Sequence, residues 1–198
     1  MRRCAFAPFA VLGVLLTAAP AAAADVIDCE RTFGRDTTHA ALVHAFGAGN
    51  VTFGEIPGPE GTTDTASVLF PRNARRRLEV VWHDHEARAR PARIRIHRGS
   101  AWVAPGPVKL GDPFAAVERR NGLRLALEEV GWEYQGLIDN WKDGAFERLP
   151  GGCTLMVFLA LPRGHLDPAF RRPTEARLRA RNPTVIEIVV GYPAPPEN

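Results

Sequence analysis

Several residue types are scarce in this chain, and each shortage excludes something. Serine occurs twice after the N-terminal segment, as Ser67 and Ser100, and neither lies in a Gly-x-Ser-x-Gly setting. A serine hydrolase needs a nucleophile, a base and an oxyanion site, and this sequence offers little towards them. Three cysteines allow one disulfide at most. The longest apolar run is about 15 residues and is interrupted by Pro8, short of the roughly 20 that a spanning helix needs. No glycine-rich loop opens a helix: Gly47-Ala48-Gly49 closes one, which leaves no N-terminal anion cradle, and no cofactor is expected. Helix-turn-helix, zinc-finger and aromatic RNA-binding signatures are missing, so nucleic acid is not an expected partner. Lysine is nearly absent (Lys109 and Lys142) against 23 arginines.

What is present begins with an export pattern. Met1-Arg2-Arg3 gives a positive start, Cys4 to Ala19 a short apolar stretch, and Ala22-Ala23-Ala24 a small-residue cleavage site before Asp25. Residues 1–24 therefore read as a signal peptide, cleaved after Ala24. The remaining 174 residues carry 23 basic and 22 acidic side chains, so most of the formal +3 belongs to the leader. Val26-Ile27-Asp28 before Cys29 lacks the small residue that precedes an acylated cysteine, which argues against a lipid anchor. The expected product is soluble, does not span a membrane, and resides in the periplasm or outside the cell. In such a compartment Cys29 and Cys153 are expected to form a disulfide.

Periodicity alternates between helix and strand. Asp36-Thr37-Thr38 caps a helix running to Phe46 and stopped by Gly47. Strands are expected at Val51–Phe53, Ala66–Phe70, Leu78–His83 and Arg93–His97, the last with Ile94 and Ile96 inward and its arginines outward. The second half restarts with Asp112 as helix cap, Pro113 in the first turn, a helix to Asn121 and a stop at Gly122. Strand-like segments follow at Arg124–Leu127, Trp132–Leu137, Cys153–Leu161 and Val185–Val190. Pro162 to Pro183 reads as a long polar connection containing Leu166-Asp167-Pro168-Ala169-Phe170 and a candidate helical turn. The class is α+β: two layers, an antiparallel sheet with helices on one face. The halves, 25–105 and 106–198, align at an offset of 75 through both the helix and one strand, which implies a tandem duplication sharing one core.

Leu110-Gly111-Asp112-Pro113-Phe114-Ala115-Ala116-Val117, continuing to Gly122, resembles the helix opening of the small outer-membrane-assembly lipoproteins. The duplicated layout resembles the tandem beta-lactamase inhibitory proteins. Those resemblances imply a two-layer module that binds other envelope proteins and performs no chemistry. The chain lacks the lipoproteins' lipid-bearing cysteine, and has one expected disulfide where the inhibitors carry one in each repeat.

Four constellations compete for function. Trp82, Trp132, Tyr134 and Trp141 are candidates for an aromatic partner surface; the alternative is that these rings fill the core. His83-Asp84-His85-Glu86, with His97 from the next strand, is the densest set of ligand-type side chains, and its plainer reading is a hydrated hairpin tip. Acids from Glu128 to Glu147 interleave with aromatics, a composition suited to sugar hydrolysis or simply to an amphipathic strand pair. Nine arginines against three acids between Arg72 and Arg98 offer an anion-binding surface, or only solvated strand edges. The expected role is a non-catalytic protein-binding module, with another envelope protein as partner. Alternatives are a metal- or carboxylate-dependent hydrolase of envelope material and an anion-binding protein. No oligomeric state is implied.

Overall fold

A computed structural model of the chain describes residues 25–58, 61–125, 136–160 and 175–195. The expected signal peptide lies outside the described residues, as do Trp132, Tyr134 and most of the strand expected around them. Helix α1 (His39–Phe46) precedes four strands, β1 (Val51–Pro57), β2 (Thr63–Leu69), β3 (Leu78–Asp84) and β4 (Ala89–Ile96). Helix α2 (Phe114–Asn121) is followed by β5 (Leu137–Ile138), β6 (Thr154–Leu159), α3 (Glu175–Arg181) and β7 (Val185–Gly191). The strands form one antiparallel sheet in the order β1-β2-β3-β4-β7-β6-β5, and the class is α+β.

The alternation of β3, β4, β6 and β7 decides which face is filled. Leu78, Val80, Trp82, Ile94, Ile96, Leu155, Val157, Ile188 and Val190 share a buried cluster with Leu42 of α1 and with Phe114 and Val117 of α2. Both helices thus cover the same face, and one core spans the two halves. The end of α3 lies against α2, where Arg179 Nη1 donates to Glu118 Oε2. The Cys29–Cys153 disulfide, across 124 residues, ties the start of the first half to the start of β6. Tyr192 adds a second tie: its hydroxyl lies 2.9 Å from the carbonyl oxygens of both Cys29 and Phe33.

The helix ends show which local signals decided the fold. Thr38 caps α1 as expected, accepting from the Ala41 N–H at 3.1 Å. At α2 the expectation fails in detail. Pro113 occupies the cap position and Asp112 turns back, accepting from the Lys109 N–H and from Arg120. The capping oxygen comes instead from Asn182, which accepts from the Ala115 N–H at 2.9 Å. Gly122 closes α2 in the left-handed conformation at φ 79°, where a glycine is needed.

Other expectations shift. Arg124 and Leu125 are not in a strand, and the rest of that segment lies outside the described residues. The polar connection read as Pro162–Pro183 contains α3. Both α1 and α2 are eight residues long and start 75 apart. The strands keep no such count: four follow α1, while three follow α2 among the described residues.

Candidate functional site

The three described tryptophans are all buried, at 1% exposure for Trp82 and 2% for Trp102 and Trp141. Each indole N–H has an acceptor: Ser67 Oγ for Trp82 at 3.0 Å, the Arg76 carbonyl for Trp102 at 2.8 Å, the Leu155 carbonyl for Trp141 at 2.7 Å. A tryptophan goes fully inside when its one polar atom is satisfied there, and these do. The aromatic surface expected at Trp82 and Trp141 is therefore not a surface. Trp102 packs edge-on against Phe33 and Phe46. Trp141 packs edge-on against Phe146 at 5.1 Å, and Glu147, one of the interleaved acids, accepts from the Trp141 backbone N–H.

The histidines do not converge. His83 Nε2 donates to the Tyr192 carbonyl at 2.9 Å, His85 Nδ1 lies 3.3 Å from Thr65 Oγ1, and His97 turns to Glu79. Among the described residues no group of three histidine, cysteine or acidic side chains is placed to hold a metal. Nucleophiles are equally engaged. Ser67 is fully buried, Ser100 Oγ donates to the Arg75 carbonyl, and both described cysteines are bridged.

The sheet's second face carries the distinctive arrangement. Register places Thr52, Val68, Glu79, Arg95, Val189 and Met156 in one row across six strands. No helix among the described residues packs on this side. Glu79 sits mid-row with its side chain 3% exposed, a position that demands partners for its charge. Oε1 accepts from Arg77 Nε and Nη2 at 3.2 and 2.8 Å. Oε2 lies 2.6 Å from His97 Nε2 and 3.8 Å from Arg95 Nη1. The His97 contact is out of line with the ring N–H, so it is a close contact and not an aligned hydrogen bond. Burial pushes the Glu79 carboxyl up, but His97 and Arg77 outweigh it and hold the group below its ordinary value. Arg95 also reaches Glu187, with Nε 3.4 Å from Oε1.

Two arginines of β4 also reach back to the β1–β2 hairpin. Arg93 Nη2 donates to Asp64 Oδ2 at 2.6 Å, and Arg95 Nη1 to the Pro57 carbonyl at 3.1 Å. Strands lie about 4.8 Å apart, so one arginine spans β3 and β2 to Pro57 only if the sheet curls. The hairpin end bends over this face, which makes it concave and buries Ile56, Ala66, Val68 and Val81 as a second small cluster. Towards β6 the same face continues with half-buried Met156 and Phe158. The cluster of charges around Glu79 was not legible in the sequence because its members are dispersed; only the outward arginines of β4 gave a signal.

No family model, curated protein or solved structure matches the chain.

Proposed function

We propose that the chain is an exported, non-catalytic module that binds a protein partner across the concave face of its sheet, the face on which no helix among the described residues packs. The observation that carries this reading is the asymmetry of the sheet. One face is filled by α1, α2 and the core, while the other holds the paired charges of Arg77, Glu79, Arg95 and Glu187 together with half-buried Met156 and Phe158. Fixed charges next to moderately apolar surface suit recognition of a folded partner, because complementary charges select it and apolar contact adds affinity. The engaged serines and bridged cysteines favour binding over hydrolysis. Export is supported by the leader-like N-terminus, by the disulfide, and by the lack of any described helix long and apolar enough to cross a membrane. The resemblance to tandem inhibitory modules agrees with a two-layer binding protein and names no target.

Photo-crosslinking in the native compartment tests the reading. A crosslinking side chain at Met156 or Phe158 should give one discrete adduct with a protein partner. The same group at Ala115 or Arg119, on the outer side of α2, should give none. Adducts from α2 alone, or none from the concave face, would refute it.

A further inference from the structure

We infer that the end of the sheet formed by residues 70–77 and 97–101 is a binding site for an anionic polysaccharide. This goes beyond the protein-binding reading and does not depend on it. The two segments are held as one unit. The Arg75 carbonyl accepts from the Ala101 N–H at 2.7 Å, and the Arg76 carbonyl from the Trp102 indole at 2.8 Å. Asn73 Oδ1 accepts from the N–H groups of Arg75 and Arg76, which fixes the turn.

Five arginines meet two carboxylates here, and both carboxylates are already engaged. Asp25 takes the Arg76 guanidinium on two oxygens at 2.7 and 3.0 Å, and that guanidinium also lies 3.7 Å above the Phe70 ring. Glu79 takes Arg77. Arg72, Arg75 and Arg98 are exposed, and no ion pair is seen for them among the described residues. This excess is local, since residues 25–198 balance 23 basic against 22 acidic groups.

The partner's chemistry follows from what the patch has and lacks. Guanidinium groups take carboxylate, sulfate or phosphate oxygens in bidentate fashion. Each such exposed contact is weak alone, so useful affinity needs a ligand that repeats its charge. Between the arginines stand Pro71, Asn73, Ala74 and Gly99, with no large apolar side chain to enter a bilayer. That favours a water-soluble polyanion over a lipid surface. Because the loop is pinned before the ligand arrives, little ordering is needed on binding.

Heparin serves as the probe, with the exported form of the chain and its disulfide intact. Binding should weaken roughly 20- to 40-fold between 50 and 200 mM salt, as expected for about three anion contacts. The triple variant Arg72→Ser/Arg75→Ser/Arg98→Ser should lose binding at least tenfold while keeping the parent's thermal midpoint. The pair Arg72→Ser/Arg75→Ser should lose much more than Arg119→Ser/Arg148→Ser, which removes the same charge from exposed sites elsewhere. Equal losses in the two pairs would mean general charge attraction and overturn the assignment. So would the absence of salt-sensitive heparin binding. Binding to phosphatidylglycerol vesicles without binding to heparin would overturn it in favour of a membrane.

Discussion

Ser67 has one hydroxyl and two neighbours that need it. Its oxygen accepts from the Trp82 indole at 3.0 Å, and it lies 2.8 Å from His39 Nδ1. Both contacts are satisfied when the hydroxyl proton points to His39, which requires a neutral imidazole with Nδ1 unprotonated. Burial first, and Arg88 second, hold the His39 ring below its ordinary value, in agreement. A folded-state value below the unfolded one means that the unfolded chain binds the extra proton. The contribution is complete above pH ~6.5 and is lost as pH falls from there through the folded value. Ser67→Ala strands a buried indole N–H and should cost about 1–3 kcal/mol in urea unfolding at pH 7.5. It should also change the decline in stability below pH 6.5, since the hydroxyl no longer favours neutral His39. A stability curve parallel to the parent's across pH 7.5 to 5 would break the link between the two residues.

Glu79 makes a second residue-scale case with a different pH window. Its lowered value gives stability that is complete above the ordinary carboxylate range and lost as pH falls through the folded value. Glu79→Gln leaves Arg77, Arg95 and His97 around a neutral side chain. Breaking a buried pair costs several kcal/mol, but Arg77 is 35% exposed and water screens it, so about 2 kcal/mol is expected. Denaturant midpoints at pH 7 measure this. A midpoint unchanged or raised in Glu79→Gln would show that the charge cluster contributes nothing to stability.

At the scale of elements, legibility followed how local the cause was. Helix α1 is readable because cap and stop lie within its own stretch, at Thr38 and Gly47. Helix α2 was placed by Pro113 and Gly122, yet its capping oxygen comes from Asn182, which is 67 residues away. No local pattern announces such a partner. Asn182 also has φ 43°, a conformation that asparagine tolerates better than most residues. Asn182→Ala should therefore lose about 1–2 kcal/mol, through the cap and the strained backbone together. Asn182→Gly should lose less, because it restores the backbone freedom and forfeits only the cap. If glycine proves worse than alanine in thermal melts, backbone conformation is not part of the cost. Helix α3 was legible only as a helical turn within a polar connection, because Glu-Ala-Arg-Leu-Arg-Ala-Arg is polar nearly all round and offers no apolar stripe to read. The tryptophans were ambiguous for another reason: composition shows a ring but not whether its N–H will find an acceptor, and at Trp82 the acceptor lies on another strand.

At the scale of the whole molecule, the sheet joins its two halves along one seam, the β4–β7 ladder from Arg93↔Gly191 to Ile96↔Ile188. Ile94 and Ile96 on one side pack in the same cluster as Ile188 and Val190 on the other, so neither half closes its core alone. The disulfide crosses the same divide and closes a loop of 124 residues, which corresponds to roughly 4–5 kcal/mol in the chain-entropy picture. Tyr192 strengthens that corner. Burial raises its hydroxyl to about 12 despite Arg35 nearby, so its contribution is complete below pH 10 and lost as pH climbs through 12. One cooperative unit is the consequence. The intact chain should unfold in a single transition whose calorimetric and van't Hoff enthalpies agree. Reduction of Cys29–Cys153 should lower the midpoint without splitting the transition, because the β4–β7 seam still couples the halves. A fragment ending at Pro105 should not fold, since it exposes the apolar side of β4 and leaves that strand as an unpaired edge. Two resolved transitions in the reduced chain would show that the disulfide, and not the shared core, makes the halves one molecule.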